Sequence, residues 1–577
     1  MEAIGAMKQK FFLLTLFSAF MCFSQTSQAV TYADDTPVAQ KLSGTPIRDC
    51  RADDRLKVPL ITWGADITTI YANGSDTRTQ GGSIFKNLGL NLELKREDDF
   101  SKQVQSYMRC DSPFLRATVG MAGLVTDVTE QDSRTKMVAI YQHSWSSGGD
   151  ALVVKSGIAK PADLKGKTIA LQKAGPHVDY LMTILKDAGL SPNDVTIKWT
   201  NDLVGFDGST PSASLREDKG IDAAMVIIPD ALALTSDGAV GTGSENSVKG
   251  AKILLSTKSA NRVIADLYFV RSDFLKDNRA KVEAFVQGLI QAEEKTRKII
   301  SSKTSEYNGL MKSSAKILLD SEYAQADAQA MWADAETVGW AGNVKFFTDE
   351  NYPRRFERLV SDVQTSLTSL GHIKSIKSIA QAHWNFDQFK GGVKTFAPEA
   401  ARFNQSVVTQ AITKQQAQGT IDDNTLFEFE INFKPNQDSF PVELYKQQFD
   451  RVIDLAATYS GAVITVEGHS DPLEYLRSKK EGKSQVVLNM MVQSARNLSV
   501  SRAQSVRDSI ITLGKEGSIA MDPSQFVVMG LGFQSPKSGL CGGDPCPPNS
   551  EQEWLSNMRV VFRIVNVEAE ANAFKPL

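Results

Sequence analysis

The 577-residue sequence has no excess of basic residues and, beyond its first 30 residues, no apolar run that reaches 18 residues. Its 64 Lys and Arg residues are outnumbered by 67 Asp and Glu residues, which gives a net charge of −3. This balance excludes a general binder of nucleic acid, because such binding needs a dense basic surface. With 42% hydrophobic and 23% charged residues, the composition is typical of globular domains, and the length predicts more than one of them.

The one long apolar segment lies at the N-terminus and has the pattern of a secretory signal peptide. Lys8 and Lys10 precede an apolar run over residues 11–23, and Ser27 and Ala29 are small residues at the positions that a signal peptidase reads. The alternative, a membrane anchor, needs a longer run. We therefore expect residues 1–29 to be cleaved, the protein to be exported to the periplasm, and the mature chain to carry no integral membrane segment.

Cysteine and histidine are scarce, with five of each. Cys22 lies in the signal segment, so the exported chain keeps an even number of cysteines, which is typical of disulfide bonding. Cys541 and Cys546 bracket the turn sequence "GGDP", so we expect them to pair with each other and Cys50 to pair with Cys110. A zinc site is the rival interpretation, but no histidine lies near "CGGDPC". We predict no metal and no cofactor.

Residues 56–395, which follow an N-terminal lead over residues 30–55, read as alternating strands and helices. Several strands end on small residues, as in "VPLITWG" and "RATVGMAG". This alternation predicts an α/β fold with parallel sheets and with ligands at the carboxyl ends of the strands. The order of the elements predicts two lobes, one formed by residues 56–150 with 265–395 and the other by residues 151–264.

Five segments in this region resemble, in the same order, those of type 2 periplasmic solute-binding proteins. The resemblance is to the group that binds taurine, sulfonates, nitrate, phosphate and pyrimidine precursors. The segments are "WGAD", "TVGMAGLVTD", "PADLKGKTIALQKAGPHVDYLMTILKDAGL", "GIDAAMVIIPDAL" and "ADLYFVRSDFLKDN". The resemblance implies two lobes facing each other across a solute cleft, and a partner permease of the ABC class.

The cleft candidates are residues of the turns that follow strands. Free N–H groups at such turns and at helix N-termini favour an anionic group. Asp66 and Asp230 would instead select an amine, so the expected solute is a small anion or zwitterion. Each candidate also fits an ordinary role in a turn or in the core. The candidates are Trp63, Gly64, Ala65, Met121, Ala122, Gly123, Gly175, His177 and Asp230.

A second unit is predicted over residues 425–568, after a linker over residues 396–424 and before a tail over residues 569–577. Its strands and helices read as βαβαβ with a further strand, an α+β arrangement. The pieces "VEGHSD", "NLSVSRAQSV", "GLGFQSP" and "NMRVVFRI" resemble, in this order, the OmpA-like peptidoglycan-binding domain.

The OmpA-like resemblance implies a site for diaminopimelate in the peptidoglycan stem peptide. The family's aspartate and arginine fall on Asp471 and Arg502, whose charges suit the ammonium and the carboxylate of that residue. The resemblance also places Asn557 and Arg559 at the pocket. The alternative is a structural ion pair between Asp471 and Arg502 without a ligand. No hydroxyl nucleophile accompanies His469, so hydrolysis is not expected.

Two departures from the OmpA-like pattern bear on this site. Asp471 and Arg502 are separated by an insertion over residues 472–496, which we expect to form an excursion beside the pocket. In addition, Ala495 and Met558 stand where the family commonly has asparagine and arginine. The leading hypothesis is a solute receptor without enzymatic activity, tethered to the cell wall. The alternatives are an envelope scaffold whose binding-protein unit docks a protein and, less favoured, an enzyme.

Overall fold

A computed structural model of the chain describes residues 30–50, 55–205, 208–244, 246–391, 393, 405–419, 421–422, 425–433, 442–516 and 521–565. The predicted signal peptide, the predicted tail and part of the predicted linker lie outside these residues. No helix of the described part is long and apolar enough to cross a membrane.

The first unit contains twelve strands in its described residues. They are β1 (Leu56–Leu60), β2 (Leu92–Arg96), β3 (Phe114–Thr118), β4 (Met137–Ser146), β5 (Asp150–Val154), β6 (Thr168–Gln172), β7 (Thr196–Thr200), β8 (Ala223–Ile227), β9 (Lys252–Ser256), β10 (Ala265–Arg271), β11 (Ala335–Thr337) and β12 (Ala380–Gln381).

Its helices flank these strands and continue as a helical segment after β10. They are α1 (Val38–Leu42), α2 (Asp66–Ala72), α3 (Ile84–Asn87), α4 (Phe100–Met108), α5 (Val119–Leu124), α6 (Thr126–Thr129), α7 (His177–Asp187), α8 (Pro211–Glu217), α9 (Ile228–Leu234), α10 (Ser272–Ser302), α11 (Tyr307–Leu319), α12 (Gln325–Asp334), α13 (Gly339–Thr348) and α14 (Phe356–Ser369).

The sheets are mixed, so the prediction of parallel sheets is wrong. In the first lobe, β10 lies between β3 and β4 and is antiparallel to both, while β1 and β2 form a parallel pair. In the second lobe, β6 is parallel to β7 and β8, but β5 is antiparallel to β8 and β9. The antiparallel strands β5 and β10 are the strands through which the chain passes from one lobe to the other. A strand that arrives from the other lobe starts at the opposite edge of its sheet from a strand that follows a helix, so it runs in the opposite direction.

The second unit contains a four-stranded sheet with helices on both faces and a separate two-stranded hairpin. Its strands are β13 (Thr425–Asn432), β14 (Val463–His469), β15 (Phe526–Gly532), β16 (Leu540–Cys541), β17 (Asp544–Pro545) and β18 (Arg559–Val565), and its helices are α15 (Gln405–Gln418), α16 (Lys446–Thr458), α17 (Leu473–Lys480), α18 (Gln485–Glu516) and α19 (Glu551–Ser556). The order in the sheet is β13-β18-β14-β15, with β14 parallel to β15 and antiparallel to β18. Helix α15, within the predicted linker, packs through Val408 and Ile412 against Val463 and Val527 of the sheet.

Both predicted disulfides are confirmed. Cys50 pairs with Cys110 and Cys541 pairs with Cys546, with Cα atoms 5.3 and 5.0 Å apart. The first ties the N-terminal lead to the end of α4, and the second closes the small β16–β17 hairpin.

The C-terminal end of α16 docks on the first unit at the loop between β9 and β10. Gly461 donates its N–H to the Ser259 carbonyl (3.2 Å), and the Ser460 hydroxyl donates to Asn261 Oδ1 (2.7 Å). Tyr459 donates to Asp187 Oδ2 at the end of α7 (3.0 Å). The two units therefore share a polar, buried contact.

We expect Gly461→Ala to weaken this contact. A Cβ at position 461 would lie 1.7 Å from the Lys258 carbonyl oxygen, so the two units must shift apart, at a cost of about 1–3 kcal/mol. Calorimetry should then show two melting transitions farther apart than in the parent protein. Gly309→Ala is the control, because nothing lies within 4 Å of its Cβ position. Identical melting of the two variants would contradict the docking.

Candidate functional sites

A glycine at the end of β14 lets helix α18 approach the turn that carries Asp471. A Cβ on Gly468 would lie 1.9 Å from the Ser499 carbonyl oxygen, so a larger residue would force the backbones apart. The Ser470 hydroxyl donates to the Ala495 carbonyl of α18 (3.2 Å) and ties the turn to that helix. The turn is thus held in place before any ligand arrives.

Asp471 keeps one carboxylate oxygen without a partner. Its Oδ2 accepts a hydrogen bond from the Leu473 N–H (3.0 Å), whereas its Oδ1 is buried and makes no hydrogen bond among the described residues. Burial raises the pKa of Asp471, and Leu473, the Trp554 indole and the Asn557 amide oppose that rise. Neither Trp554 nor Asn557 reaches Oδ1 with normal hydrogen-bond geometry, so Oδ1 is available to a donor on a ligand.

Asn557 and Arg559 lie on the other side of this turn, at the end of α19 and the start of β18. Asn557 accepts a hydrogen bond from the Ser538 N–H (3.3 Å), and Arg559 Nη2 donates to the Ser535 carbonyl (3.1 Å). Arg559 Nε lies 3.4 Å from Glu430, while Nη1 is buried without a hydrogen-bond partner among the described residues. A guanidinium nitrogen without a partner is the complement of an anionic group.

Arg502 lies buried on α18, with its side chain 2% exposed. Burial and the nearby Arg559 and Arg563 lower the pKa of His469 to about 3, so its imidazole is uncharged.

The insertion folds against the end of β15. Its first helix, α17, places Tyr475 4.8 Å from the ring of Phe533, and the Tyr475 hydroxyl donates to Asp544 (3.3 Å) in the β16–β17 hairpin. The next residues extend α18 at its N-terminal end and expose Val486 and Met490.

In the first unit, the first lobe holds a buried charge cluster. Arg116 Nη2 lies 3.0 Å from Asp66 Oδ2, and its Nη1 lies 3.0 Å from Asp266 Oδ1, with all three side chains at most 5% exposed. Burial raises the pKa of both aspartates, and the guanidinium of Arg116 opposes that rise. Asp66 is thus engaged within the protein rather than open to an amine.

Trp63 and His177, two of the predicted cleft residues, are also held by internal bonds. The Trp63 indole donates to the Ser144 hydroxyl (2.9 Å), and its ring lies against Gly149, where a Cβ would come within 2.7 Å of it. His177 Nε2 lies 2.7 Å from Asp150 Oδ1. Both residues therefore line the interface between the lobes, in contact with the crossing segment.

The other predicted cleft residues have different neighbours. Gly64 lies against the Met331 carbonyl of α12, and a Cβ on Gly123 would lie 3.0 Å from Leu367 of α14. Gly175 lies against the Gln172 side chain. Ala65, Met121 and Ala122 are buried, and Asp230 lies half-buried on α9, where desolvation raises its pKa. In the described part of the chain, no group of three or more His, Cys, Asp or Glu side chains is placed to hold a metal ion.

Comparisons with known proteins concern the first unit. Residues 83–298 match the family described as NMT1/THI5 like. A stretch of 147 residues is 33% identical to the taurine-binding periplasmic protein of Escherichia coli (strain K12), and it covers 25% of this chain and 40% of that protein. Part of the chain is therefore similar in sequence to a periplasmic binding protein. The chain thus spans less than half the length of this relative.

Solved structures similar to the chain include two binding proteins. The alkanesulfonate-binding protein SsuA from Xanthomonas axonopodis pv. citri, bound to MOPS, is 15% identical, with a TM-score of 0.35, over 50% of this chain and 87% of that one. The periplasmic nitrate-binding protein NrtA from Synechocystis PCC 6803 is 11% identical, with a TM-score of 0.40, over 60% and 90%. At such identities and TM-scores, neither bears on the ligand of this chain.

Proposed function

We propose that this protein is a periplasmic solute receptor, without enzymatic activity or cofactor, that is held on the cell wall by its C-terminal unit. The first unit captures a small anionic or zwitterionic solute and delivers it to an ABC permease. The match to the NMT1/THI5-like family and the identity to a taurine-binding periplasmic protein support this role. The two lobes, joined by crossing strands, are the architecture that such a receptor needs for hinge closure.

The observation that carries the wall-binding half is the partnerless Oδ1 of Asp471 at a turn that is fixed in advance. An ammonium group of the stem peptide would supply the missing donor. The carboxylate on the same carbon needs a guanidinium, for which Arg502 and the Nη1 of Arg559 are the candidates. The resemblance to OmpA-like domains supports the same ligand.

Asp471→Ala should abolish retention of the protein on isolated sacculi, because the ammonium would lose its only carboxylate at the turn. Arg502→Ala should do the same through loss of the carboxylate contact. Co-sedimentation measures retention, and thermal melting of the first unit should not change. Asp508→Ala, which removes an exposed carboxylate from the same α18 helix, is the matched control. Undiminished sedimentation of both site variants would contradict the pocket assignment.

One observation favours the scaffold alternative. His177 and Trp63 are engaged by internal bonds, and the second unit docks beside the lobes, which suits a protein that presents a fixed surface. A thermal-shift screen with taurine, sulfonates, nitrate and phosphate separates the two functions, because a solute that binds the native state raises its melting temperature. Stabilisation by none of these solutes would favour the scaffold.

A further inference from the structure

A pocket lies where three parts of the chain meet. Its walls are α7 of the second lobe, the segment from Pro353 through α14 in the first lobe, and α16 of the C-terminal unit. We call it the junction pocket. None of the cleft residues proposed from the sequence lines it. The C-terminal unit therefore forms one of its walls.

The rim of the junction pocket consists of charged residues that neutralise one another. Three ion pairs join neighbouring helices with N–O distances of 2.5–3.0 Å. They are Arg451–Asp187, Arg358–Asp454 and Lys186–Asp362. The three ion pairs give the rim no net charge. Any preference of the pocket for a charged ligand must therefore come from residues deeper inside it.

Asp179, on the first turn of α7, is a buried carboxylate without a side-chain partner. Its side chain is 3% exposed, and neither oxygen makes a hydrogen bond of normal geometry among the described residues. It is pressed against Gly120, where a Cβ would lie 2.7 Å from its carboxyl carbon. A buried carboxylate without a partner is costly when it is ionised, and a ligand that supplies the opposite charge would offset this cost.

Arg354 is the second charge left over inside the junction pocket. It is 7% exposed, and its Nε donates to the Arg262 carbonyl (2.7 Å). In the described part of the chain, its guanidinium makes no further hydrogen bond and no ion pair within 4.0 Å. Desolvation lowers the pKa of Arg354. Burial raises the pKa of Asp179, and the positive charge of Arg354 opposes that rise although the two side chains form no ion pair.

A carboxylate and a guanidinium that line one pocket without touching each other are suited to the two ends of a zwitterion. A metal ion does not fit this arrangement, because Asp179 belongs to no group of three or more potential ligands in the described chain. A simple anion would satisfy Arg354 but would be repelled by Asp179. An organic ammonium, with three N–H donors, matches both oxygens of Asp179.

We propose that the junction pocket binds a small zwitterion, with its ammonium on Asp179 and its anionic end on Arg354, beneath helix α16. This inference rests on the proposed solute-binding function and names the class of solute. It also makes the C-terminal unit part of the site, since α16 supplies Arg451, Asp454 and Thr458 to the walls. Occupation of the pocket and docking of the wall-binding unit are then linked.

The test compares taurine and β-alanine, two small zwitterions, with isethionate, in which a hydroxyl replaces the ammonium of taurine. Isothermal titration of the full mature chain should detect at least one of the zwitterions and show isethionate to be at least tenfold weaker. Asp179→Asn and Arg354→Gln should each weaken binding of that zwitterion by about 10- to 100-fold, the size expected for a buried hydrogen bond to a charged group. Asp508→Asn, which changes an exposed carboxylate outside the junction pocket, should leave the affinity within about threefold.

The outcomes separate this inference from the proposed function. Zwitterion binding that survives both Asp179→Asn and Arg354→Gln overturns the junction pocket but leaves a solute receptor. If isethionate binds as tightly as taurine and β-alanine, or if isethionate alone binds, only the proposal that the solute is a zwitterion is contradicted. Failure to bind any of these probes or any oxyanion in the thermal-shift screen contradicts the proposed solute-binding function and this inference with it.

Discussion

Asp179→Asn should make the protein more stable at about pH 8 by up to about 4 kcal/mol. Burial raises the pKa of Asp179 from the ordinary 3.8 to about 7 in the folded protein. Between these values the folded state holds a proton that the unfolded state has lost, so the stability of the parent protein falls as pH rises from about 4 to about 7. Asparagine carries no charge and escapes this loss, which amounts to about 1.4 kcal/mol for each pKa unit.

Urea unfolding at about pH 4 and pH 8 measures this difference. We expect the parent protein and Asp179→Asn to have similar midpoints at the lower pH, and the variant to unfold at higher urea concentration at the upper pH. Asp362→Asn is the control, because Asp362 lies at the rim and is paired with Lys186. A parent protein that is as stable as the variant at pH 8 would mean that Asp179 has a partner in the native state.

A residue that lowers stability yet sits in a pocket is the pattern expected of a binding site. Mutations that stabilise a protein commonly reduce its function when the functional site is itself a source of instability. For Asp179 the two readouts should move in opposite directions, with stability rising and affinity for the zwitterion falling. A purely structural carboxylate would not produce this pairing.

Local patterns in the sequence were sufficient for the disulfides and for most elements of the fold. The turn sequence between Cys541 and Cys546 predicted one disulfide, and the two remaining cysteines of the exported chain then formed the other. The alternation of apolar and polar residues around β14 predicted a strand that ends near Asp471. The parallel sheets were wrong because strand direction at β5 and β10 depends on how the chain crosses between lobes. The path of the chain between the lobes is a long-range feature. The alternation of apolar and polar residues within a strand does not indicate the direction in which that strand runs.

The candidate sites were less accessible to sequence reasoning. Resemblance placed Asp471 and Asn557 near each other, and the structure brings them together. The buried charges Arg116, Asp179 and Arg354 were missed because nothing in the neighbouring sequence indicates that these side chains are buried. Their burial comes from contacts between segments that are distant in the sequence, which no local pattern reports. Asp179 lies in "GPHVDY", where the predicted cleft residues were Gly175 and His177.

Arg116→Met should destabilise the first unit by about 3–5 kcal/mol at about pH 8. The change leaves Asp66 and Asp266 buried without their shared cation, and an uncompensated buried charge costs far more than the loss of a surface ion pair. Arg109→Met, which breaks the exposed pair with Asp111, is the matched control and should cost at most about 1 kcal/mol. Urea unfolding followed by circular dichroism measures both changes.

The pH dependence of this loss distinguishes charge from packing. Burial already raises the pKa of Asp66 and Asp266 against the opposing effect of Arg116, so removal of the guanidinium raises both pKa values further. Both carboxyls then take up protons on folding, and the destabilisation should shrink as pH falls from about 8 to about 5. The triple variant Asp66→Asn, Arg116→Met, Asp266→Asn should regain most of the stability. A loss that is the same at both pH values and persists in the triple variant would show that Arg116 acts through packing alone.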